Sequence, residues 1–257
     1  MKLEETKTPK ILRYFTLSLF FSIPFILFFT LQTTPTPSRT RTVTDSSIPV
    51  SYPNIKGIRI RPGYPTYASY LQRQLNKTQN PKLRQIWTTR DWDRKINVFV
   101  NFFNDLRDVG LINNASSALC IGARVGQEVE ALRRVGVTDS IGIDLVPYPP
   151  LVIKGDFHNQ PFEDERFDFE FSNVFDHALY PEMFVKEIER TLKPGGVCVL
   201  HVAVSRRSDK YSANDLDGVD PVVRLFSGSD LVRVRKVDGF GLDTEVVFRK
   251  KGGRIGS

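Results

Sequence analysis

From Tyr14 to Leu31 the chain reads YFTLSLFFSIPFILFFTL, with no charged residue. A membrane-spanning helix needs roughly 17–25 largely apolar residues at about 1.5 Å each, so this run is long enough to cross a bilayer. Pro24 lies mid-span, where membrane helices tolerate it better than soluble ones do. A cleaved signal peptide would have a shorter apolar core, about 7–15 residues, followed by small residues at a cleavage site. Here the chain continues as QTTPTPS. The pattern therefore predicts an uncleaved anchor over 14–31. Residues 32–62 follow as an extended stem, because Thr33 to Pro53 is too rich in Thr, Ser and Pro to bury a core.

From residue 63 the periodicity becomes that of a folded domain, expected to run to 257. Apolar positions at helical spacing mark Tyr67 to Leu75 and Trp92 to Val109, the latter through Ile96, Phe99, Val100, Phe103 and Leu106. Strands and helices then alternate. Ala118–Ile121, Ser140–Leu145, Leu151–Lys154, Phe167–Ser172 and Gly196–Val204 read as buried strands. Gly126–Val135, Pro181–Leu192 and Asp220–Phe226 read as helices, and Leu231–Val237 with Glu245–Arg249 as a closing antiparallel pair. This alternation predicts an α/β Rossmann-like class with a mostly parallel seven-stranded sheet covered by helices on both faces. Ligands of such sheets bind beyond the carboxyl ends of the strands.

Charge refines the picture at the N-terminus. Lys2, Lys7, Lys10 and Arg13 precede the apolar run, and the nearest basic residues beyond it are Arg39 and Arg41. The positive-inside bias makes 1–13 a cytosolic tail and the domain lumenal, a type II arrangement. The short span fits a thin Golgi or early-secretory membrane of the endomembrane system. Two sequons, Asn76-Lys77-Thr78 and Asn114-Ala115-Ser116, are glycan acceptors in a lumenal domain. The net charge of +7 is spread along the chain rather than gathered into a basic stripe, so no nucleic-acid partner is expected.

The candidate chemistry lies at the strand ends. Leu119-Cys120-Ile121-Gly122-Ala123-Arg124-Val125-Gly126 runs from strand through a glycine turn into a helix, whose first N–H groups are unpaired. Asp144, followed by Leu145, ends the next strand 22 residues after Gly122, where a carboxylate can accept hydrogen bonds from a ribose. Asp156, followed by Phe157, stands just past the third strand, and Leu192-Lys193-Pro194-Gly195-Gly196 breaks the helix before the fifth.

This order resembles the type 11 S-adenosylmethionine (SAM)-dependent methyltransferase domain over about 117–204. Gly155-Asp156, Pro161-Phe162, Phe167-Asp168, Glu187-Ile188 and Arg190 join the motifs above. The whole chain resembles a group of plant membrane-anchored methyltransferase-like proteins. The resemblance implies that Gly122, Ala123, Arg124 and Gly126 line the methionine part of SAM and that Asp144 binds the ribose. It further implies that Asp156 and the Phe157 backbone meet the adenine, and that Asn173 to Phe175 face the sulfonium and an unidentified methyl acceptor. Acceptor contacts are expected from Trp87 to Arg94 and Ser205 to Leu216.

Two positions depart from the family pattern. Cys120 stands where an acidic residue is usual, and Arg124 where a small one is usual. Arg124 can compensate by pairing with the SAM carboxylate. The alternative is a catalytically inactive, methyltransferase-like binding protein. His177 is the candidate general base. The glycine spacing does not match the G-x-G-x-x-G of a dinucleotide oxidoreductase, and neither metal-ligand spacing nor a G-x-S-x-G elbow is present. Cys120 and Cys198 fall on strands expected to be separated by a third, too far apart for a disulfide.

Overall fold

The computed structural model describes residues 50, 52, 54–205 and 209–252. The expected tail (1–13), anchor (14–31) and most of the stem (32–62) lie outside the described residues. Among the described residues no helix is long and apolar enough to cross a membrane.

Strand β2 (Ala118–Ile121) is buried at all four positions, as an apolar run in a sheet covered on both faces must be. It pairs in parallel with β3 (Ser140–Asp144) on one side and β5 (Phe167–Ser172) on the other. β4 (Val152–Lys154) extends the sheet beyond β3, and β6 (Leu192–Val202) beyond β5. The order is β4-β3-β2-β5-β6-β9-β8. β8 (Ser229–Gly239) and β9 (Leu242–Lys250) form a hairpin attached antiparallel to β6, so five parallel strands continue into the antiparallel pair expected from the sequence.

Alternation along these strands divides the core. Cys120, Phe169, Phe171, Val199 and Val247 pack against α3 (Trp92–Asp108) and α4 (Gln127–Arg134). Leu119, Ile121, Cys198, Leu200, Val246 and Phe248 face α5 (Pro181–Thr191) and α6 (Asp220–Leu225). With β5 between their strands and their side chains on opposite faces, both cysteines are free and buried.

Several boundaries differ from the sequence reading. α1 runs Tyr67–Thr78, one turn longer than expected, capped by Thr66 and Ser69. α2 (Pro81–Thr88) is unforeseen. Its eight residues are too few to show a period, although Asn80 Oδ1 accepts from the amides of Lys82 and Leu83 at 3.0 and 3.2 Å and Pro81 opens the helix. β6 begins at Leu192 rather than Gly196, because the Pro-Gly-Gly turn is absorbed as an irregularity in the β5–β6 register. The stem boundary is too late. β1 (Ile58–Ile60) pairs antiparallel with β7 (Asn214–Leu216), and Ile58 is buried, so these residues belong to the fold. Arg61 secures them with an ion pair to Asp215 at 2.6 Å.

Candidate functional site

The loop after β2 closes over the end of β3. The amides of Gly122 and Ala123 both donate to the Ile143 carbonyl, at 2.9 and 3.1 Å. Gly122 has φ +73°, and a Cβ there would lie 2.3 Å from Val174 Cγ2, so both conformation and packing require glycine. Arg124 also adopts positive φ, +51°, which turns its amide toward Asp144 Oδ2 at 2.9 Å. Val146 N donates to the other carboxylate oxygen at 3.2 Å. Burial raises the Asp144 pKa against these two bonds.

Above this loop is a cavity of about 280 Å³ at the carboxyl ends of the central strands. Of the residues expected at the site, Gly122, Arg124, Asp144, Leu145, Phe157, Asn173 and His177 line it. Four do not. Ala123 is buried in the core between sheet and helices. Gly126, at φ +86°, is the N-cap of α4 and faces Leu151, whose Cβ would lie 2.6 Å from an added one. Phe175 packs against Phe184 at 5.7 Å in the opposite half of the core. Asp156 is engaged elsewhere: its carboxylate accepts from the Tyr67 hydroxyl and, at 2.9 Å, from His158 N. Burial opposes its ionisation, but His158 and Tyr67 outweigh that and hold its pKa low.

His177 closes a short 3-10 turn, Phe175–His177, with its carbonyl held by the Tyr70 hydroxyl at 2.8 Å. Its Nδ1 lies 3.0 Å from Gln74 Oε1 and its Nε2 3.3 Å from Lys77 Nζ. An amide oxygen and an ammonium together assign the proton to Nδ1 and leave Nε2 as the acceptor. Burial lowers its pKa; Lys77 and Arg124 push the same way, while Asp176 and Asp209 oppose. Lys77 also pairs with Asp209 at 2.5 Å. Gln74, Lys77, Asp176 and Asp209 all line the cavity.

No residue of the Trp87–Arg94 segment lines the cavity. Trp87 is buried, its carbonyl accepts from Gln127 Nε2 at 2.9 Å, and its ring carries the Arg124 guanidinium at 5.4 Å. Arg90 and Arg94 pair with Asp91. Of Ser205–Leu216, Asp209 reaches the cavity.

Sequence reasoning missed the contributions of α1, α3 and the hairpin tip. Gln74 and Thr78 are polar positions one turn apart on the buried side of α1, and Lys95 is a charge set beside Ile96 on the buried side of α3. A polar residue interrupting an apolar stripe was the available signal. Burial pulls the Lys95 pKa down to about 8; Arg124 adds to this, and Glu128 and Asp91 resist it. Phe240, at the β8–β9 turn, had no such signal. Its ring lies 4.9 Å from Lys95 Nζ.

Residues 119–200 match the family model described as "Methyltransferase domain". No curated protein matches the chain by sequence. Among solved structures, the chain is similar to Burkholderia thailandensis 1,6-didemethyltoxoflavin-N1-methyltransferase, determined with 1,6-didemethyltoxoflavin and S-adenosylhomocysteine bound. The identity is 16% and the TM-score 0.54, over 76% of this chain and 95% of that one. It is also similar to a SAM-dependent methyltransferase from Aquifex aeolicus, at 18% identity and TM-score 0.46, over 58% of this chain and 88% of that one. The segment from β2 to β6 thus matches a methyltransferase domain model, and the chain shares its Rossmann-like fold with the Burkholderia enzyme.

Proposed function

We propose that this chain is a SAM-dependent methyltransferase, tethered to an endomembrane, that methylates a nucleophile whose proton is taken by His177. One observation carries the reading: carboxylate, amide and neutral imidazole side chains from Asp144, Asn173 and His177 converge on one cavity at the strand ends. The residues fit the cofactor. Each Asp144 oxygen accepts one backbone bond, and a carboxylate oxygen has room for a second, so both ribose hydroxyls can be held. Arg124 Nε and Glu128 Oε2 are buried without partners beside the cavity, as groups awaiting a polar ligand would be.

When bound, SAM supplies a methyl group on a positively charged sulfur, open to in-line attack. The chain contributes position and proton handling. Leu145 and Phe157, which line the cavity, would border the adenosine end. His177 Nε2 takes the acceptor's proton, and Asp176 and Asp209, each 4.0 Å away, favour the imidazolium that results. Lys77, tied to Asp209, yields its place at Nε2 to the acceptor.

The tether is the uncharged run 14–31, with its basic residues on the N-terminal side, in a type II orientation with a lumenal, Golgi-resident domain. Asn76 and Asn114 are both exposed, as glycan acceptors need to be. Protease added to intact microsomes should leave the domain whole; digestion without detergent overturns this topology.

Titration calorimetry tests the cofactor reading. S-adenosylhomocysteine should bind the full chain, and Asp144→Ala should weaken it by about 1.5–3 kcal/mol, the loss expected for a charged acceptor. No heat at millimolar ligand overturns the reading. Binding without transfer to any acceptor tested favours the inactive alternative.

A further inference from the structure

Where α3 and the loop leading into α4 meet the cavity, two cations, with a carboxylate behind them, take no part in the proton transfer just described. Lys95 lines the cavity yet is only 7% exposed. Among the described residues its ammonium has no hydrogen-bond or ion-pair partner, and it lies 4.9 Å from the centre of the Phe240 ring. A buried ammonium without a counter-ion costs stability unless a ligand supplies the anion. Arg124, also on the cavity, leaves Nε without a partner and holds one terminal nitrogen 3.9 Å from Glu128 Oε1. Glu128 is 1% exposed, and its Oε2 is unpartnered.

Glu128 also fixes a neighbour. Asn173 Nδ2 donates to Glu128 Oε1 at 3.1 Å. With its amide nitrogen committed to Glu128, Asn173 turns Oδ1 the other way. The site therefore offers cationic donors from Lys95 and Arg124 beside an amide oxygen oriented by a carboxyl group. That is the complement of a zwitterion carrying a carboxylate and an ammonium on one carbon. Cys120, on β2, supplies no charge, since burial pushes its thiol pKa well above the ordinary value.

We infer that Lys95 and Arg124 bind the α-carboxylate of the amino-acid end of SAM, and that Asn173 Oδ1, oriented by Glu128, receives its α-ammonium. This rests on the SAM reading above. Lys95, Arg124 and Asn173 are binding residues, and Glu128 is a positioning residue that acts through Asn173. The competing role is structural, with Lys95 and Glu128 merely offsetting each other's charge inside the domain.

The test compares two ligands on the full chain by calorimetry. S-adenosylhomocysteine has the amino-acid end; 5′-methylthioadenosine has the same thioadenosine with a methyl group in its place. Wild-type protein should prefer the former by roughly 10-fold or more, since each charge-assisted contact is worth about a decade in affinity. Lys95→Met, with Arg124→Met as a second variant, and Glu128→Gln should each remove most of that preference. 5′-Methylthioadenosine should bind all variants within about 2-fold of wild type, which also shows that the cavity is folded. Equal binding of the two ligands by wild type, or an unchanged preference in the variants, overturns the inference and leaves the SAM reading intact. If neither ligand binds wild type, the SAM reading itself falls.

Discussion

The two walls of the cavity are built on different principles. The wall formed by the loops after β2 and β3 is held by the main chain: the amides of Gly122 and Ala123 on the Ile143 carbonyl, and those of Arg124 and Val146 on the Asp144 carboxylate. The wall formed by α1 and the β8–β9 hairpin is held by charged side chains. Lys77 pairs with Asp209 and contacts His177. Within the hairpin, Glu245 accepts from Arg233 and Arg235, both at 2.7 Å, with His201 Nε2 of β6 3.2 Å away. A main-chain lattice tolerates changes of surrounding residue, whereas an ionic lattice depends on each member and on pH. The first wall suits a cofactor that does not vary, and the second a specificity that can be altered by single substitutions.

The largest expected effect is at His177. His177→Gln should lower kcat by roughly 10²–10⁴-fold if it is the base, with little change in S-adenosylhomocysteine affinity. Burial keeps its pKa below the ordinary 6.5, so the imidazole is neutral at pH 7. The wild-type rate should fall as pH drops below 6.5 through the folded pKa, and a flat profile there would exclude the role.

Next is Glu245, which is wholly buried. Glu245→Gln takes the counter-ion from Arg233 and one of two from Arg235, which keeps Asp105, and should cost about 3–5 kcal/mol, read by urea denaturation. Burial alone would raise the pKa of Glu245, but His201 and Arg235 hold it at about 2, against an ordinary 4.5. Its contribution is complete above pH 4.5 and disappears as pH falls toward 2. Glu170 shows the reverse. Burial pushes it up to about 8, with only the Thr191 hydroxyl and more distant charges to stabilise the anion. It is protonated in the native state at neutral pH, so its share of stability is present below pH 4.5 and lost as pH rises to about 8. Glu170→Gln should flatten that side of the stability profile.

On the main-chain wall, Gly122→Ala places a Cβ against Val174 at positive φ and should cost about 1–3 kcal/mol, with cofactor affinity falling alongside. The smallest effect is at the rim. Asp209 is 48% exposed, so breaking its pair with Lys77 by Asp209→Asn should change stability by about 0.2–1 kcal/mol. Its mark should instead be a changed KM for the acceptor. If Asp209→Asn destabilised the domain as much as Glu245→Gln, the distinction between rim and buried charges would fail.

This contrast explains what could be read from the chain. The parallel strands are legible because burial on both faces makes them apolar runs, as in ALCI. Gly122 and Asp144 are legible because their jobs are set by the main chain at fixed positions after a strand. Asp156 misled. It has the expected place in the sequence, yet Tyr67, 89 residues earlier, claims its carboxylate. β1 and β7 escaped notice because each is three residues long and finds its partner across more than 150 residues. Glu128 was hidden for another reason: an acidic residue in the first turn of a helix is common for the helix dipole alone, and only burial separates a functional one.

The two cysteines have a consequence for where the domain can mature. Cys120 and Cys198 point to opposite sides of the sheet, so no rearrangement short of unfolding joins them. The native state is therefore indifferent to redox poise, with no cross-link to be gained in an oxidising compartment or lost in a reducing one. Its melting temperature should be the same with and without dithiothreitol, and alkylation of the unreduced, denatured protein should label both thiols. The fold is thus equally compatible with maturation in an oxidising or a reducing compartment.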